Sequence, residues 1–315
     1  MNTDPAPVWL VKAASVWHRL MAALSPLAWL YLQVVTLVAP LLSTKRRQQL
    51  LNSLSTTSWP AASLCARRVK LGAKGPVIRF TPHEREFDFA AVLRGTLDYE
   101  REVFDFLEGR LSSYDVVVEI GANVGVFTCM FGEKLRNTAT KIYAFEPAPK
   151  AYGRLVENLR LNGLEQVNAF NAAVGSETSF QMFFEPQGCL TNGSLLAGFA
   201  GKFSEAVRSR PVLVVDAAML RFLLDGCRHM LLKIDVEGYE ANVLESLAPV
   251  LASHRPDILL EVLPEYAAGI EAALAKSLVA YSYHAITPEG LLRQDGLRAV
   301  HGRDCFICPV KESKS

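Results

Sequence analysis

One stretch near the middle of the chain constrains the fold more than any other segment. It runs from Val116 to Thr128 and reads VVVEIGANVGVFT. The β-branched residues at 116–118, followed by Ile120, form an apolar run typical of a strand buried on both faces of a parallel sheet. The segment GANVG, residues 121–125, interrupts that run, and apolar residues then recur at helical spacing. The stretch therefore predicts a strand, a tight glycine turn and a helix.

The glycine turn has the composition of a nucleotide-type cofactor site. Gly121 allows a backbone geometry that a side chain would resist, and Gly125 allows a close approach to the chain. Unpaired amides at the start of the following helix favour electron-rich groups. The turn is not the G-x-G-x-x-G of dinucleotide enzymes, because Asn123 stands where the second glycine would admit a pyrophosphate. A ligand with ribose and adenine but no diphosphate, such as S-adenosylmethionine, fits this turn better than a dinucleotide does.

The remainder of the chain alternates between short apolar runs and helical patterns. This alternation is typical of βαβ units, and predicts an α/β fold with a central, mostly parallel sheet flanked by helices. The segment Gln187–Gly201 is rich in small polar residues and is predicted to be a loop. Strands are predicted at 141–145, 167–174, 178–184, 212–215, 230–234, 258–262, 281–286 and 305–309, and helices at 149–162, 217–224, 239–251 and 267–278.

Carboxylates stand at the ends of several predicted strands. Glu119, Glu146 and Asp235 each close an apolar run, and Glu261 is a fourth candidate. Ligands of open parallel sheets bind outside the carboxyl ends of the strands, so these acids are expected on one binding edge. Glu146 follows Gly121 at the distance at which a strand-end acid takes the hydroxyls of a ribose. The structural alternatives are an exposed turn acid for Glu146 and a helix cap for Glu119.

A charge-free segment precedes the sheet region. Leu20–Leu42 is long enough, as a helix, to cross a ~30 Å hydrocarbon core, although Pro26 and Pro40 interrupt it. The basic run at 45–47 follows, which by the positive-inside rule keeps the rest of the chain in the cytoplasm. We therefore expect membrane contact through residues 20–42 and a cytoplasmic, membrane-attached location. The alternative is a helix packed on the protein's own surface.

Composition narrows the class of partner. The net charge is +1 and the pI about 7.6. The protein therefore has no large overall positive charge to attract nucleic acid, and no nucleic-acid partner is expected. Of the six cysteines, only Cys305 and Cys308 have metal-like spacing, and no second such pair accompanies them. Residues three apart in a strand face opposite sides, so we predict reduced thiols and no metal site.

Several motifs resemble one known family. Their order and spacing are similar to those of the FkbM family of methyltransferases over about residues 80–310; the charge-free segment lies outside the resemblance. The motifs are EIGANVGVFT (119–128), AFEP (144–147), ENLRLNGL (157–164), AAVG (172–175), KIDVEGYE (233–240) and RPDILLEV (255–262).

The resemblance implies a Rossmann-like class I fold, S-adenosylmethionine as cofactor, and methyl transfer to a hydroxyl of a sugar, glycan or natural product. It places Asp235 beside the methyl group, and leaves Asp235, Glu237 and Glu261 as candidates for the group that accepts the hydroxyl proton. Glu237 has the structural alternative of bracing the turn that follows Asp235. The cofactor-binding residues implied are Glu119, Gly121, Asn123 and Gly125 at the methionine end, Glu146 at the ribose, Asn171 and Ala172 near the adenine, and Asp235.

Three regions are predicted: an apolar helical segment and linker at 1–75, lead-in strands and a helix at 76–112, and the methyltransferase domain at 113–310.

Lys233 lies in an apolar strand, where an unpaired charge would be costly, so it is expected to pair with one of the acids. Two other functions stay open. They are an NAD-dependent oxidoreductase or epimerase, and an inactive membrane-tethered protein with the same fold.

Overall fold

The computed structural model describes residues 16–17, 19–21, 25–55, 57, 59, 66–81, 83, 89, 91–92, 95–97, 100–187, 191–297 and 303–310. The chain divides into two compact units, Met1–Tyr99 and Glu100–Ser315.

In its described part, the N-terminal unit contains the helices α1 and α2 and a small sheet, and residues 16–17, 19–21, 89 and 91–92 are also helical. Ala28, Leu32 and Val35 of the first helix are buried in one cluster with Leu54 and Trp59. The sheet has the order β2-β1-β3, with β1 antiparallel to β2 and parallel to β3. The elements are α1 (Ser25–Val38), a 3-10 turn (Ala39–Leu41), α2 (Thr44–Ser55), β1 (Arg67–Leu71), β2 (Val77–Phe80) and β3 (Thr96–Leu97).

Two expectations for this unit need correction. The predicted helix over 20–42 ends early, because α1 gives way to the 3-10 turn at Ala39-Pro40; residues 19–21 are also helical, and residues 22–24 lie outside the described part. Across the described residues, no helix is long and apolar enough to span a membrane. The predicted linker contains β1, and the hairpin β1–β2 pairs across the boundary predicted at 75/76.

The C-terminal unit is built around an eight-stranded sheet. Its elements are α3 (Arg101–Glu108), β4 (Val116–Ile120), α4 (Val126–Lys134), β5 (Lys141–Phe145), α5 (Pro149–Leu161), β6 (Val167–Phe170), β7 (Ala173–Val174), β8 (Ser179–Pro186), α6 (Ala197–Ala200), β9 (Val207–Val215), α7 (Ala217–Leu223), β10 (Met230–Ile234), α8 (Glu240–Ser246), α9 (Ala248–His254), β11 (Asp257–Glu261), α10 (Ala267–Ala275), β12 (Tyr281–Thr287), β13 (Gly290–Gln294) and β14 (Asp304–Pro309).

The strand order is β13-β12-β14-β11-β10-β4-β5-β6. The run from β11 to β6 is parallel, and β14 is antiparallel to both of its neighbours. In this run β4, β5 and β6 lie side by side in chain order, and β10 then pairs with the opposite edge of β4. This is the order of a doubly wound sheet, whose switch point lies between β4 and β10. The predicted Rossmann-like α/β fold is confirmed.

The core explains why these strands are central. Every residue of β4 and of β10 is buried. Val118 and Leu232 belong to one apolar cluster with Leu244 of α8, Leu251 of α9 and Ile270 of α10. Strands covered on both faces must be apolar throughout, which is why Glu119 and Lys233 stand out in their sequences.

Several predicted elements differ in extent, such as the strand predicted at 212–215, which is β9 (Val207–Val215), and three predictions differ in kind. The predicted strand 167–174 divides at Asn171, and β7 joins a second sheet of order β7-β9-β8. The predicted helix 239–251 divides into α8 and α9, where Pro249 lies in the first turn of α9 and cannot continue the ladder of the helix before it. The predicted loop 187–201 contains the short helix α6 in its described part.

Candidate active site

The glycine turn between β4 and α4 follows an unusual backbone path. Gly121, Asn123 and Gly125 have φ angles of 86°, 49° and 85°. The Gly121 amide donates to the Phe145 carbonyl at 2.9 Å, which ties the turn to the end of β5. A β-carbon on Gly125 would lie 2.4 Å from Leu155 Cδ1. The group that approaches Gly125 closely is therefore a side chain of α5.

Glu146 cross-links the two strand ends at this turn. Its Oε2 accepts from the Asn123 amide at 2.8 Å, and its Oε1 accepts from the Ala148 amide at 2.7 Å. The residue is 5% exposed. Burial raises the pKa of Glu146 to about 7, in spite of the two amide bonds. Because each carboxylate oxygen can accept a second hydrogen bond, the oriented group retains capacity for two ligand hydroxyls.

Asn171 supports the segment that carries Glu146. Its Nδ2 donates to the carbonyl oxygens of Glu146 at 2.8 Å and Pro147 at 3.0 Å. Ala172, the next residue, is buried at 3% exposure. Asn171 thus braces the turn after β5, and the contact of either residue with adenine stays a prediction.

Glu119 lies in the interior of the sheet rather than on its exposed edge. It is 1% exposed, and its Oε2 accepts from the Thr128 hydroxyl of α4 at 2.6 Å. Burial raises the pKa of Glu119 to about 7, with Lys233 and Thr128 acting in the opposite direction. Glu119 holds the side chain of Thr128 and so fixes α4 to β4. Its contact with a cofactor stays a prediction.

Lys233 supplies the positive charge under the switch point. Its Nζ lies 3.1 Å from Asp235 Oδ2 and 4.6 Å from the centroid of the Phe127 ring. The side chain of Lys233 is 5% exposed, and that of Asp235 is 24% exposed. Burial disfavours the charged form of Lys233, but Asp235 and then Glu119 outweigh it and raise its pKa. The predicted pairing of Lys233 with an edge acid is confirmed.

The turn after β10 is braced by a residue that the sequence reasoning missed. Glu240 Oε1 accepts from the amides of Val236 at 3.2 Å and Gly238 at 3.0 Å. Glu237 has a φ of 54° and is half-buried. The bracing role considered for Glu237 therefore belongs to Glu240, whose position at the start of α8 was the available signal.

Glu237 and Glu261 lie in a crowded group of acids. Burial, followed by the charges of Asp235 and Glu261, raises the pKa of Glu237 to about 8. Burial also raises the pKa of Glu261, whose Oε1 lies 3.5 Å from Arg303 Nη1. Asp304 pairs with Glu261 in the β11–β14 register, and burial raises its pKa to about 6. Burial and the neighbouring acids therefore favour the protonated form of Glu237.

Asn158 of α5 is a second residue that the sequence reasoning missed. It is 0% exposed, and its Nδ2 donates to the Val124 carbonyl of the glycine turn at 2.8 Å. Asn158 occupies an inward helical position beside Leu155 and Leu159. A polar residue at an inward position was the signal that could have identified it.

Metal ligation finds no support in the described part of the chain. No group of three or more His, Cys, Asp or Glu there has the geometry to hold a metal ion. Cys305 is buried and Cys308 half-buried, and both are free thiols.

Comparison with known proteins identifies the family. The family model for the methyltransferase FkbM domain matches residues 119–278, about half of the chain. The chain belongs to the FkbM methyltransferase family. This match spans β4 to α10, and includes the glycine turn, Glu146 and Asp235.

Two relatives of known activity or class are similar over part of their length. The hexuronic acid methyltransferase AglP of Haloferax volcanii is 27% identical, over 49% of this chain and 59% of the relative. Methyltransferase sdnD of Sordaria araneosa is 31% identical, over 44% of this chain and 62% of the relative. The chain thus spans about three fifths of the length of the curated relatives that it matches.

A solved FkbM methyltransferase from Methylobacillus flagellatus is 13% identical, with a TM-score of 0.38 over 62% of this chain and 43% of that chain. The fold assignment depends on the strand order of the present chain itself.

S-adenosylmethionine is the cofactor of this methyltransferase family, and the residues at the switch point fit it. Asn123 Oδ1 is buried without a hydrogen-bond partner among the described residues, and can accept from an amino group. Glu146 faces the same turn with capacity for two hydroxyl donors.

Proposed function

We propose that this FkbM-family protein transfers the methyl group of S-adenosylmethionine to a hydroxyl of a sugar, glycan or other small natural product. The proposal depends on one observation: the partly exposed carboxylate of Asp235 lies at the switch point of the doubly wound sheet and is held there by buried Lys233. The uronic acids are the first acceptors to test, because a relative is named as a hexuronic acid methyltransferase.

Each residue has a proposed task. When bound, the sulfonium cofactor would supply an electrophilic methyl carbon for in-line attack by the acceptor oxygen, with S-adenosylhomocysteine as the leaving group. Glu146 binds the ribose hydroxyls, and Asn123 accepts from the amino group at the methionine end. Gly121 and Gly125 give the turn the backbone path that sets these two residues. Much of the acceleration then comes from holding the acceptor oxygen and the methyl group in line.

Asp235 is the proposed proton acceptor. Lys233 holds Oδ2 at 3.1 Å, and in this proposal Oδ1 accepts the proton of the acceptor hydroxyl. Glu237 is less suited to this task, because burial and the neighbouring acids raise its pKa and favour its protonated form. Glu261 is engaged by Arg303 at 3.5 Å. A general base typically contributes 10²- to 10⁴-fold to the rate.

Two experiments test the proposal. The full chain is incubated with methyl-labelled S-adenosylmethionine and either a uronic acid glycoside or a neutral hexoside, and label transfer is measured. Asp235→Asn should lower turnover by about 10²- to 10⁴-fold, with the dissociation constant of S-adenosylhomocysteine changed by less than about threefold. Asp225→Asn, the same change at an exposed turn residue, is the control, and EDTA should leave turnover unchanged.

Other outcomes assign the roles differently. A wild-type rate in Asp235→Asn would move the base to Glu237 or Glu261. Loss of cofactor binding in that variant would place Asp235 in the cofactor shell. Intact binding of S-adenosylhomocysteine without transfer to any acceptor would favour a non-enzymatic protein, and binding of NAD in its place would favour the oxidoreductase alternative.

A further inference from the structure

The N-terminal unit has a charge distribution that the rest of the chain does not share. Residues 5–83 contain no Asp or Glu and ten Lys or Arg. The remainder of the chain carries 23 basic and 32 acidic residues. The net charge of +1 therefore conceals a strongly cationic segment joined to an acidic catalytic unit. Such asymmetry is typical of segments that meet a polyanionic surface.

An exposed apolar stripe lies in the same segment, on α1. Leu27, Leu30, Val34 and Leu37 are 47%, 52%, 48% and 75% exposed. Their spacing of three and four residues places them on one face of the helix. The opposite face carries the buried residues of the N-terminal cluster. α1 is thus apolar on both faces, and only one face is covered by the unit's own core.

Leu41, in the 3-10 turn that follows α1, is 83% exposed. Isolated exposed apolar side chains are common, but four on one helix face, followed by another, are typical of a surface that binds a partner or a membrane.

Exposed cations follow the stripe directly. Lys45 and Arg46, in the first turn of α2, are both exposed and lie four and five residues after Leu41. On the nearby hairpin of the same unit, Arg68 and Arg79 are direct cross-strand partners, and both are exposed. An anionic bilayer offers the two chemistries that this surface needs, an apolar layer and a negative headgroup layer. Nucleic acid would match the cations alone, and would leave the stripe in water.

We propose that the N-terminal unit docks on an anionic lipid surface, with the apolar stripe of α1 (Leu27, Leu30, Val34 and Leu37) and the neighbouring Leu41 in the headgroup–acyl boundary. Lys45 and Arg46 contact lipid phosphates. α1 lies in the plane of the interface, about 5–10 Å deep, and does not cross the bilayer. The inference is independent of the methyl acceptor, because it depends only on the charge and exposure of the N-terminal unit.

Vesicle co-sedimentation of the full chain tests the inference. We expect binding to vesicles of phosphatidylcholine and phosphatidylglycerol at about 70:30, binding to phosphatidylcholine alone weaker by about tenfold or more, and release at high salt. Leu30→Ser with Leu37→Ser should reduce the partition coefficient by about tenfold or more, because two side chains leave the apolar layer. Lys45→Gln with Arg46→Gln should reduce binding to the anionic vesicles to a similar degree.

A matched control uses the other unit. Phe222→Ser with Leu278→Ser removes two apolar side chains that are 79% and 93% exposed, and should leave vesicle binding unchanged. Circular dichroism confirms that each variant is folded.

Three results would overturn the inference. One is absence of binding to anionic vesicles by the wild-type chain. Another is vesicle binding by the Leu30/Leu37 variant at the wild-type level. The third is tighter binding to a DNA duplex than to vesicles, with the Leu30/Leu37 variant unaffected, which would assign the cations to nucleic acid.

Discussion

The backbone carbonyl oxygen of Asp235 lies where Gly121 would carry a side chain. A β-carbon built on Gly121 would be 1.8 Å from that oxygen and 2.8 Å from the Asp235 carbonyl carbon. The Asp235 amide also donates to the carbonyl of Ile120 at 3.0 Å. The glycine turn and the proposed proton acceptor are therefore fixed against each other through backbone contacts. This close packing of the glycine turn against the end of β10 requires that residue 121 carry no side chain.

Gly121→Ala should destabilise the protein by about 2–5 kcal/mol, because the new β-carbon meets backbone and the φ of 86° is unfavourable for alanine. Gly153→Ala is the matched control. Gly153 lies inside α5 with open space at its β-position, so alanine there should stabilise by about 0.5–1 kcal/mol. Urea unfolding of both variants measures the difference. A stability for Gly121→Ala within 0.5 kcal/mol of wild type would contradict this contact.

Lys233→Met should destabilise the protein by about 3–5 kcal/mol, because Asp235 loses its partner beneath the switch point and buried Glu119 loses a nearby cation. The control is Lys276→Met. Lys276 pairs with Glu245 on the surface, where both side chains are more than half exposed, so its loss should cost less than about 1 kcal/mol. Equal effects of the two substitutions in urea unfolding would show that Lys233 has no special structural role.

Glu146→Gln should weaken the binding of S-adenosylhomocysteine by about ten- to a hundredfold. The change removes the negative charge and turns an amide NH₂ toward one of the two backbone donors, which are 2.7 and 2.8 Å from the carboxylate. Isothermal titration calorimetry measures the affinity, and Glu177→Gln, at an exposed position, is the control. An unchanged affinity in a folded Glu146→Gln protein would remove this residue from the proposed cofactor site.

Stability of the cofactor-free protein should fall as the pH rises from about 4.5 to about 7. Burial raises the pKa of Glu119, Glu146 and Glu240 to about 7, whereas free glutamate titrates near 4.3. In this window the folded state binds more protons than the unfolded state, so the free energy of unfolding decreases with pH, by up to ~1.4 kcal/mol per unit for each such group. Urea midpoints at half-unit steps from pH 4.5 to 8.5 measure the slope.

Glu240→Gln isolates one contribution to that slope. The glutamine oxygen can still accept from the Val236 and Gly238 amides, but the group no longer titrates. The slope between pH 4.5 and 7 should therefore become shallower while the turn stays braced. Stability that rises through this window in the wild-type protein would contradict the raised pKa values.

Part of the site could be predicted from local sequence, because it is encoded within short segments. The strand, turn and helix at 116–128 depend on side-chain periodicity and on glycines whose positive φ angles the structure retains. The acids at strand ends were predictable for the same reason. The division of 167–174 was not predictable from periodicity. Nothing in the pattern of 167–174 separates β6 from β7, whereas Asn171, which lies between them, is held by side-chain hydrogen bonds to the turn after β5.

The sequence by itself determined the class of fold, the family and the segments that form the cofactor turn. Only the tertiary structure decided which side chains meet. Glu119 and Lys233 are more than a hundred residues apart, and become neighbours because β10 returns beside β4. The same crossing places the Asp235 carbonyl against Gly121. Local propensity is set by neighbours along the chain, whereas these contacts depend on strand order, which the packing of the whole sheet selects.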